Sequence, residues 1–285
     1  MSSKGKLQTG AIDEELKQAG VIVGDGGAKD LSAYSESDRQ ILVRDGSRIR
    51  IRVFRPTESP GSGSPLIVLI HGGSFCVGSL ESETPRCRSF VQAFGAVCVS
   101  VGYRLAPEHP FPTAPNDCWD ALRWVAANAT ALGATPSRGF IVGGTSAGAN
   151  LATVLAHLAR DERLSPPLTG QYLCVPSVLP PTVVPQKWKA QYLSYEQHKN
   201  APILPRTALE MFANSYKPND VCDVDPLRDE ALIYETVLRT EWEVKTKLDV
   251  YPGLPHGFWF MFPTHSRAEK FRKDLIKGTE FLLGL

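Results

Sequence analysis

"GGTSAGA", residues 143–149, sets Ser146 among neighbours that barely carry side chains. The run before it, Phe140-Ile141-Val142, is apolar and reads as a buried strand. The run after it, "ANLATVLA" (149–156), carries helical spacing. Ser146 is therefore expected on a sharp strand-to-helix turn, with Gly144 and Gly148 two residues to either side in the pattern G-x-S-x-G. Such a turn exposes a hydroxyl, and the following helix aims amides and its positive dipole end at developing negative charge.

Working upstream, Leu66 to Ile70 is a fully apolar strand that runs into "HGGSF" (71–75). Two successive glycines let the backbone approach a ligand closely, so the amides of Gly72 and Gly73 are candidate oxyanion donors, with that of Ala147. Further strands are expected at Ala96–Val101 and Phe140–Val142. Helical spacing follows through Cys118, Leu122, Val125 and Ala129, and later through Ala268, Phe271, Leu275 and Leu282. Apolar strands alternating with helices predict an α/β fold, a mostly parallel sheet covered on both faces. "ILVRDGSRIRIRVF" (41–54) predicts an antiparallel hairpin turning at Asp45-Gly46. Residues 1–40 show weak helical character, a strand is expected at Lys247–Tyr251, and 176–218 breaks the rhythm as an excursion of loops and short helices.

Serine needs a base. His256 follows the Lys247–Tyr251 segment and sits between Pro255 and Gly257 on a loop. The other histidines fit less well: His71 belongs to the glycine loop, His109 to a Pro-rich loop, His157 to a helix, His198 to the excursion and His265 to a helix start. The acid that would orient the imidazole lies in "DVDPLRDE" (223–230), where Asp223, Asp225, Asp229 and Glu230 compete.

Composition narrows the class. The 285 residues carry 31 basic and 30 acidic side chains, a balance that argues against nucleic acid as a partner. The N-terminus has no apolar signal core and no run reaches 18 apolar residues, so a cytoplasmic protein with no membrane span is expected. Six cysteines, at 76, 87, 98, 118, 174 and 222, form no C-x-x-C pair and read as free buried thiols. Six scattered histidines suggest no metal site.

"HGGSF", "YRLAPEHPFP", "GGTSAGANLA", "DPLRDEALIYE" and "YPGLPHGF", in that order, resemble the hormone-sensitive-lipase-like branch of the α/β-hydrolases, a family of carboxylesterases. The resemblance runs from about residue 64 to the C-terminus. It implies an α/β-hydrolase fold, a single domain over 1–285 with cap elements from about 1–40 and 176–218, and no cofactor. It also implies Ser146 as nucleophile, His256 as base, Asp225 as acid, and Gly72, Gly73 and Ala147 as the oxyanion hole. The expected partner is a small-molecule ester, with room for a homodimer. Two departures stand out. Thr145 occupies a position that is usually acidic. Only "KPNDVCDV" (217–224) precedes Asp225, so the strand that should deliver the acid is expected to be shortened or missing. The alternatives are a catalytically weakened binding protein on the same fold, or an acyltransferase or cyclase of secondary metabolism.

Overall fold

The computed structural model describes residues 33–179, 184–201, 204–217 and 228–285. Its strands are β1 (Tyr34–Leu42), β2 (Arg48–Pro56), β3 (Leu66–Ile70), β4 (Val97–Gly102), β5 (Phe140–Thr145) and β6 (Gly170–Cys174). They form one sheet in the order β1-β2-β4-β3-β5-β6. The β1–β2 and β2–β4 pairs are antiparallel, whereas β3–β4, β3–β5 and β5–β6 are parallel. The longer helices are α1 (Thr84–Phe94), α2 (Thr113–Ala127), α3 (Ala147–Asp161), α4 (Arg206–Tyr216), α5 (Arg228–Thr240) and α6 (Ser266–Leu283).

The unbroken apolar runs in the central strands follow from this layering. Successive side chains point to opposite faces, and both faces of this sheet are covered. Leu66, Val68 and Ile70 pack on the side of α2 and α3, with Leu122, Val125, Leu151 and Leu155. Ile67 and Leu69 pack on the other side, with Cys87, Phe90 and Val91 of α1 and Leu275 of α6. The expected mostly parallel α/β sheet with helices on both faces is what forms.

The hairpin also forms, with Ile49, Ile51 and Val53 buried and the intervening arginines on the wet face. Its first strand corrects the helical reading around Leu31–Gln40: residues from Tyr34 onward are β1. The polar run "SESDRQ" suits a strand because its outward side chains meet partners across the ladder. Asp38 stands opposite Arg52 and takes two hydrogen bonds from its guanidinium, at 2.6 and 3.0 Å.

A second correction concerns Lys247–Tyr251, which is not a strand. Among the described residues no strand pairs with it, and Val244, Leu248 and Val250 stay exposed. Backbone polar groups without a ladder gain nothing from extended pairing, so the alternation alone does not make a strand. The short segment before Asp225, which was expected to be stunted, lies outside the described residues.

Within 184–201 and 204–216 the expected short helices form: a 3-10 turn at Gln186–Trp188, a single turn at Ser194–Gln197, and α4. Two buried carboxylates at the start of α5 tie the excursion down. Asp229 Oδ2 accepts from the amides of Leu193 (2.8 Å) and Ser194 (2.7 Å). Glu230 Oε2 accepts from the amides of Val178 (2.6 Å) and Leu179 (2.7 Å), and Oε1 from the Tyr192 hydroxyl (3.0 Å). At the far end, Tyr216 stacks on Phe75 at 4.0 Å and its carbonyl accepts from the Phe111 amide, which docks α4 beside the glycine loop.

Candidate active site

The Ser146 turn is built from backbone strain and glycine clearance. Ser146 has φ 55° and ψ −119°, a conformation that side-chain-bearing residues rarely adopt. It ends β5 and starts α3. Its amide donates to the Cys174 carbonyl at 2.8 Å, and its carbonyl accepts from Asn150 at 3.0 Å, so the turn is held from both sides. A Cβ on Gly148 would lie 2.0 Å from the Ile70 carbonyl oxygen, and one on Gly144 would lie 2.4 Å from the Gly148 carbonyl carbon. Only hydrogen fits at these two positions, because strand, turn and helix cross in contact.

The same closeness brings the glycine loop to the serine. A Cβ on Gly72 would stand 3.3 Å from that of Ser146. Gly73 has φ 114°, and there a Cβ would strike the Val77 carbonyl oxygen at 2.1 Å. Ser74 and Phe75 continue the strained path, with φ of 50° and 64°. The structure thus brings together Ser146, Gly72, Gly73 and Ala147, four of the residues expected at one site.

His71 braces this loop. Its ring stacks on Tyr103 at 4.2 Å, and the Tyr103 hydroxyl donates to the His71 carbonyl at 3.1 Å. Its Nδ1 lies 2.7 Å from the Gly72 carbonyl oxygen. A carbonyl only accepts, so Nδ1 must carry the proton. Burial pushes the His71 pKa down to about 4, against a smaller opposing contribution from that hydrogen bond. A depressed imidazole is neutral in both folded and unfolded chains above its ordinary value of 6.5. As pH falls, the unfolded chain takes the proton first. The associated stability, about 3 kcal/mol, is lost as pH falls from the ordinary value through the folded one. Urea unfolding at stepped pH checks this: the stability gap between wild type and His71→Asn should shrink by about that amount across the window.

His256 lies on the loop after Tyr251, two residues before the single-turn helix Phe258–Met261. Burial lowers its pKa to about 4, which keeps the imidazole neutral at neutral pH. The segment that follows it reaches the Ser146 turn through one buried cation. Arg86, on α1, donates from Nη1 to Thr145 Oγ1 at 2.6 Å and to Glu83 Oε2 at 2.5 Å. Its guanidinium carbon lies 5.8 Å from the ring centroids of both Trp259 and Phe260. Burial opposes the charge on Arg86 more than any other single influence, but the Glu83 carboxylate, by its charge and hydrogen bond, together with Tyr172 and Cys174 raises the pKa on balance, and the guanidinium stays protonated. Neither Glu83 nor Arg86 was legible in the sequence. A Glu and an Arg three residues apart on a helix ordinarily mark a solvated face.

Asp225, the expected acid, lies outside the described residues, as does its rival Asp223. The other two rivals are engaged elsewhere: Asp229 and Glu230 hold the excursion's backbone amides. Of the aromatics that follow His256, Phe258 and Trp259 pack into a cluster with Phe271, and Phe260 is exposed. The five described cysteines are free and buried, and burial raises the Cys76 thiol to about 12. Cys222 lies outside the described residues. Among the described residues, no group of three His, Cys, Asp or Glu side chains could hold a metal ion, and no helix is long and apolar enough to cross a membrane.

A family model described as alpha/beta hydrolase fold matches residues 67–223, more than half of the chain and the stretch that contains both the glycine loop and the Ser146 turn. The chain is an α/β hydrolase. The resemblance to the hormone-sensitive-lipase-like branch is borne out with it. This hydrolase is 38% identical over 272 residues to an AB hydrolase superfamily protein of Schizosaccharomyces pombe, covering 87% of this chain and 80% of that one. It is 30% identical over 263 residues to a versiconal hemiacetal acetate esterase of Dothistroma septosporum, covering 84% and 79%. Among solved structures, it superposes on a vibralactone cyclase with a TM-score of 0.87 and 29% identity, covering all of this chain and 91% of the other.

Proposed function

We propose that this α/β hydrolase cleaves small or medium carboxylic esters through a Ser146–His256–Asp225 triad. Ser146 Oγ attacks the ester carbonyl as His256 takes its proton. The amides of Gly72, Gly73 and Ala147 hold the oxyanion. The same imidazole returns the proton to the departing alcohol. Water, activated by His256, then releases the acid from the acyl-enzyme and restores the serine. Asp225 orients the imidazole and balances its charge. The excursion at 176–218 acts as the cap over this site within a single domain.

The observation that carries the reading is the strained backbone of Ser146, set against Gly72 at the end of two adjacent parallel strands. An acetate esterase among the relatives supports a short acyl group, on an acetylated natural product. The test is an active-site phosphonate read by intact mass, followed by turnover of a panel of p-nitrophenyl esters. A single phosphonyl adduct together with ester turnover supports the proposal. Well-folded protein that takes up no label counts for the binding-protein reading instead. Asp225→Asn is expected to lower kcat by about 10⁴-fold with the label still accepted slowly. Full activity in that variant would remove Asp225 from the triad.

A second reading shares every step up to the acyl-enzyme. The likeness to a cyclase favours acyl transfer to an alcohol in place of water, which within one molecule closes a lactone. Product analysis with an added acceptor alcohol separates the two: hydrolysis yields only free acid, and transfer yields a new ester.

A further inference from the structure

We propose that Arg86 is a positioning residue, which with Glu83 and Thr145 sets the orientation of the nucleophile turn relative to the segment that carries His256. The proposal rests on the reading of Ser146 as nucleophile. Three hydrogen bonds close a ring among these side chains: Arg86 Nη1 to Glu83 Oε2 (2.5 Å), Arg86 Nη1 to Thr145 Oγ1 (2.6 Å), and Thr145 Oγ1 to Glu83 Oε1 (2.8 Å). The threonine hydroxyl both accepts and donates, which fixes its rotamer and with it the last residue of β5. Arg86 Nη2 also reaches Cys174 Sγ at 3.7 Å. Cys174 is the residue whose carbonyl holds the Ser146 amide. Arg86 therefore grips the residue before the serine and the residue that anchors the serine's own backbone.

Its other side faces the segment that follows His256. The guanidinium lies against Trp259 and Phe260, three and four residues beyond His256, and at 6.0 Å from the Phe271 ring of α6. Cation–π contacts of this kind strengthen when desolvated, and Arg86 is 6% exposed and Glu83 1% exposed. A buried ion pair is weak support for stability, since apolar residues of equal volume often serve as well. What this pair supplies is a fixed point shared by two chain segments distant in sequence. The carboxylate comes from Glu83, directly ahead of α1, and the threonine hydroxyl passes its hold on to the turn.

The test compares Thr145→Val, Glu83→Gln and the double variant Glu83→Gln/Thr145→Asp, using p-nitrophenyl acetate kinetics, the phosphonate labelling rate and thermal melts. Thr145→Val removes the bridging hydroxyl but leaves the ion pair. It should lower kcat and the labelling rate by about 10²-fold, with KM kept within about threefold. Glu83→Gln strands the buried guanidinium and should lower both kcat and the melting temperature. The double variant returns a carboxylate to Arg86 from the turn itself and should recover kcat to within about tenfold of wild type. Thr145→Val at wild-type kcat, or a folded double variant no faster than Glu83→Gln, overturns the proposal. Should Glu83→Gln fail to fold, Thr145→Val decides alone. A wild type that takes up no phosphonate sinks the nucleophile reading and this role with it. A labelled wild type matched by an equally fast Thr145→Val sinks only the positioning role.

Discussion

Ser146→Ala is expected to abolish phosphonate labelling and to lower ester turnover by about 10⁶-fold, down to what binding and oxyanion donors give without a nucleophile. The loss should fall on kcat, with KM little changed, because the hydroxyl contributes to the transition state far more than to ground-state binding. The same position predicts a gain elsewhere. A backbone at φ 55° and ψ −119° stores strain of about 1–3 kcal/mol for a residue with a Cβ. Glycine adopts that conformation freely. Ser146→Gly should therefore unfold at higher urea than Ser146→Ala, by about 1 kcal/mol, with both inactive. Equal stability of the two variants would show that the turn is relaxed, and residual turnover near wild type in either would remove Ser146 from the chemistry.

Gly148→Ala is expected to be nearly as damaging without touching any reacting group. The added carbon would sit 2.0 Å from the Ile70 carbonyl oxygen and 2.5 Å from that of His71. Both obstacles are backbone, in a core strand and at the start of the glycine loop, so neither can rotate away. Overpacking against side chains costs about 1–3 kcal/mol, and here the upper end or beyond is expected. Whatever protein folds should have α3 pushed off β3 and kcat lowered by about 10²-fold, since displacement of about 1 Å at a site has that effect. Gly61→Ala is the matched control: nothing lies within 4 Å of its added carbon. It should change stability by less than about 1 kcal/mol. A Gly148→Ala protein with wild-type melting and kinetics would mean that the turn packs more loosely than described.

What could be read from residues alone follows from how local each signal is. β3 and β5 were legible because burial on both faces makes every position apolar, and the Ser146 turn because the steric demands of a crossing point leave only glycine and alanine. β1 was hidden, since one wet face and cross-strand ion pairs such as Arg52–Asp38 make a strand look like a polar linker. β6, "GQYLC", was also passed over, being short, half-buried and opened by a glycine. Lys247–Tyr251 failed in the opposite sense: its alternation is real, but a strand exists only where another strand accepts it. The Arg86 ring was beyond reach for a different reason. Nothing in "ESETPRCR" distinguishes a buried pair from a solvated one until Thr145, far along the chain, closes the triangle.

The sheet order has a kinetic corollary. Gly72 and Ser146 meet only because β3 and β5 lie side by side, and each parallel pairing here joins segments separated by a helical crossover. Loop-closure entropy must be met before such pairings return any free energy, so contacts of this range form late and slowly. No single hairpin or helix pair of the chain contains both Gly72 and Ser146, so none of them alone can hold the serine–glycine contact. Recovery of esterase turnover during refolding should therefore lag behind recovery of helical circular dichroism, and enzymatic activity becomes a clock for the last long-range step of assembly.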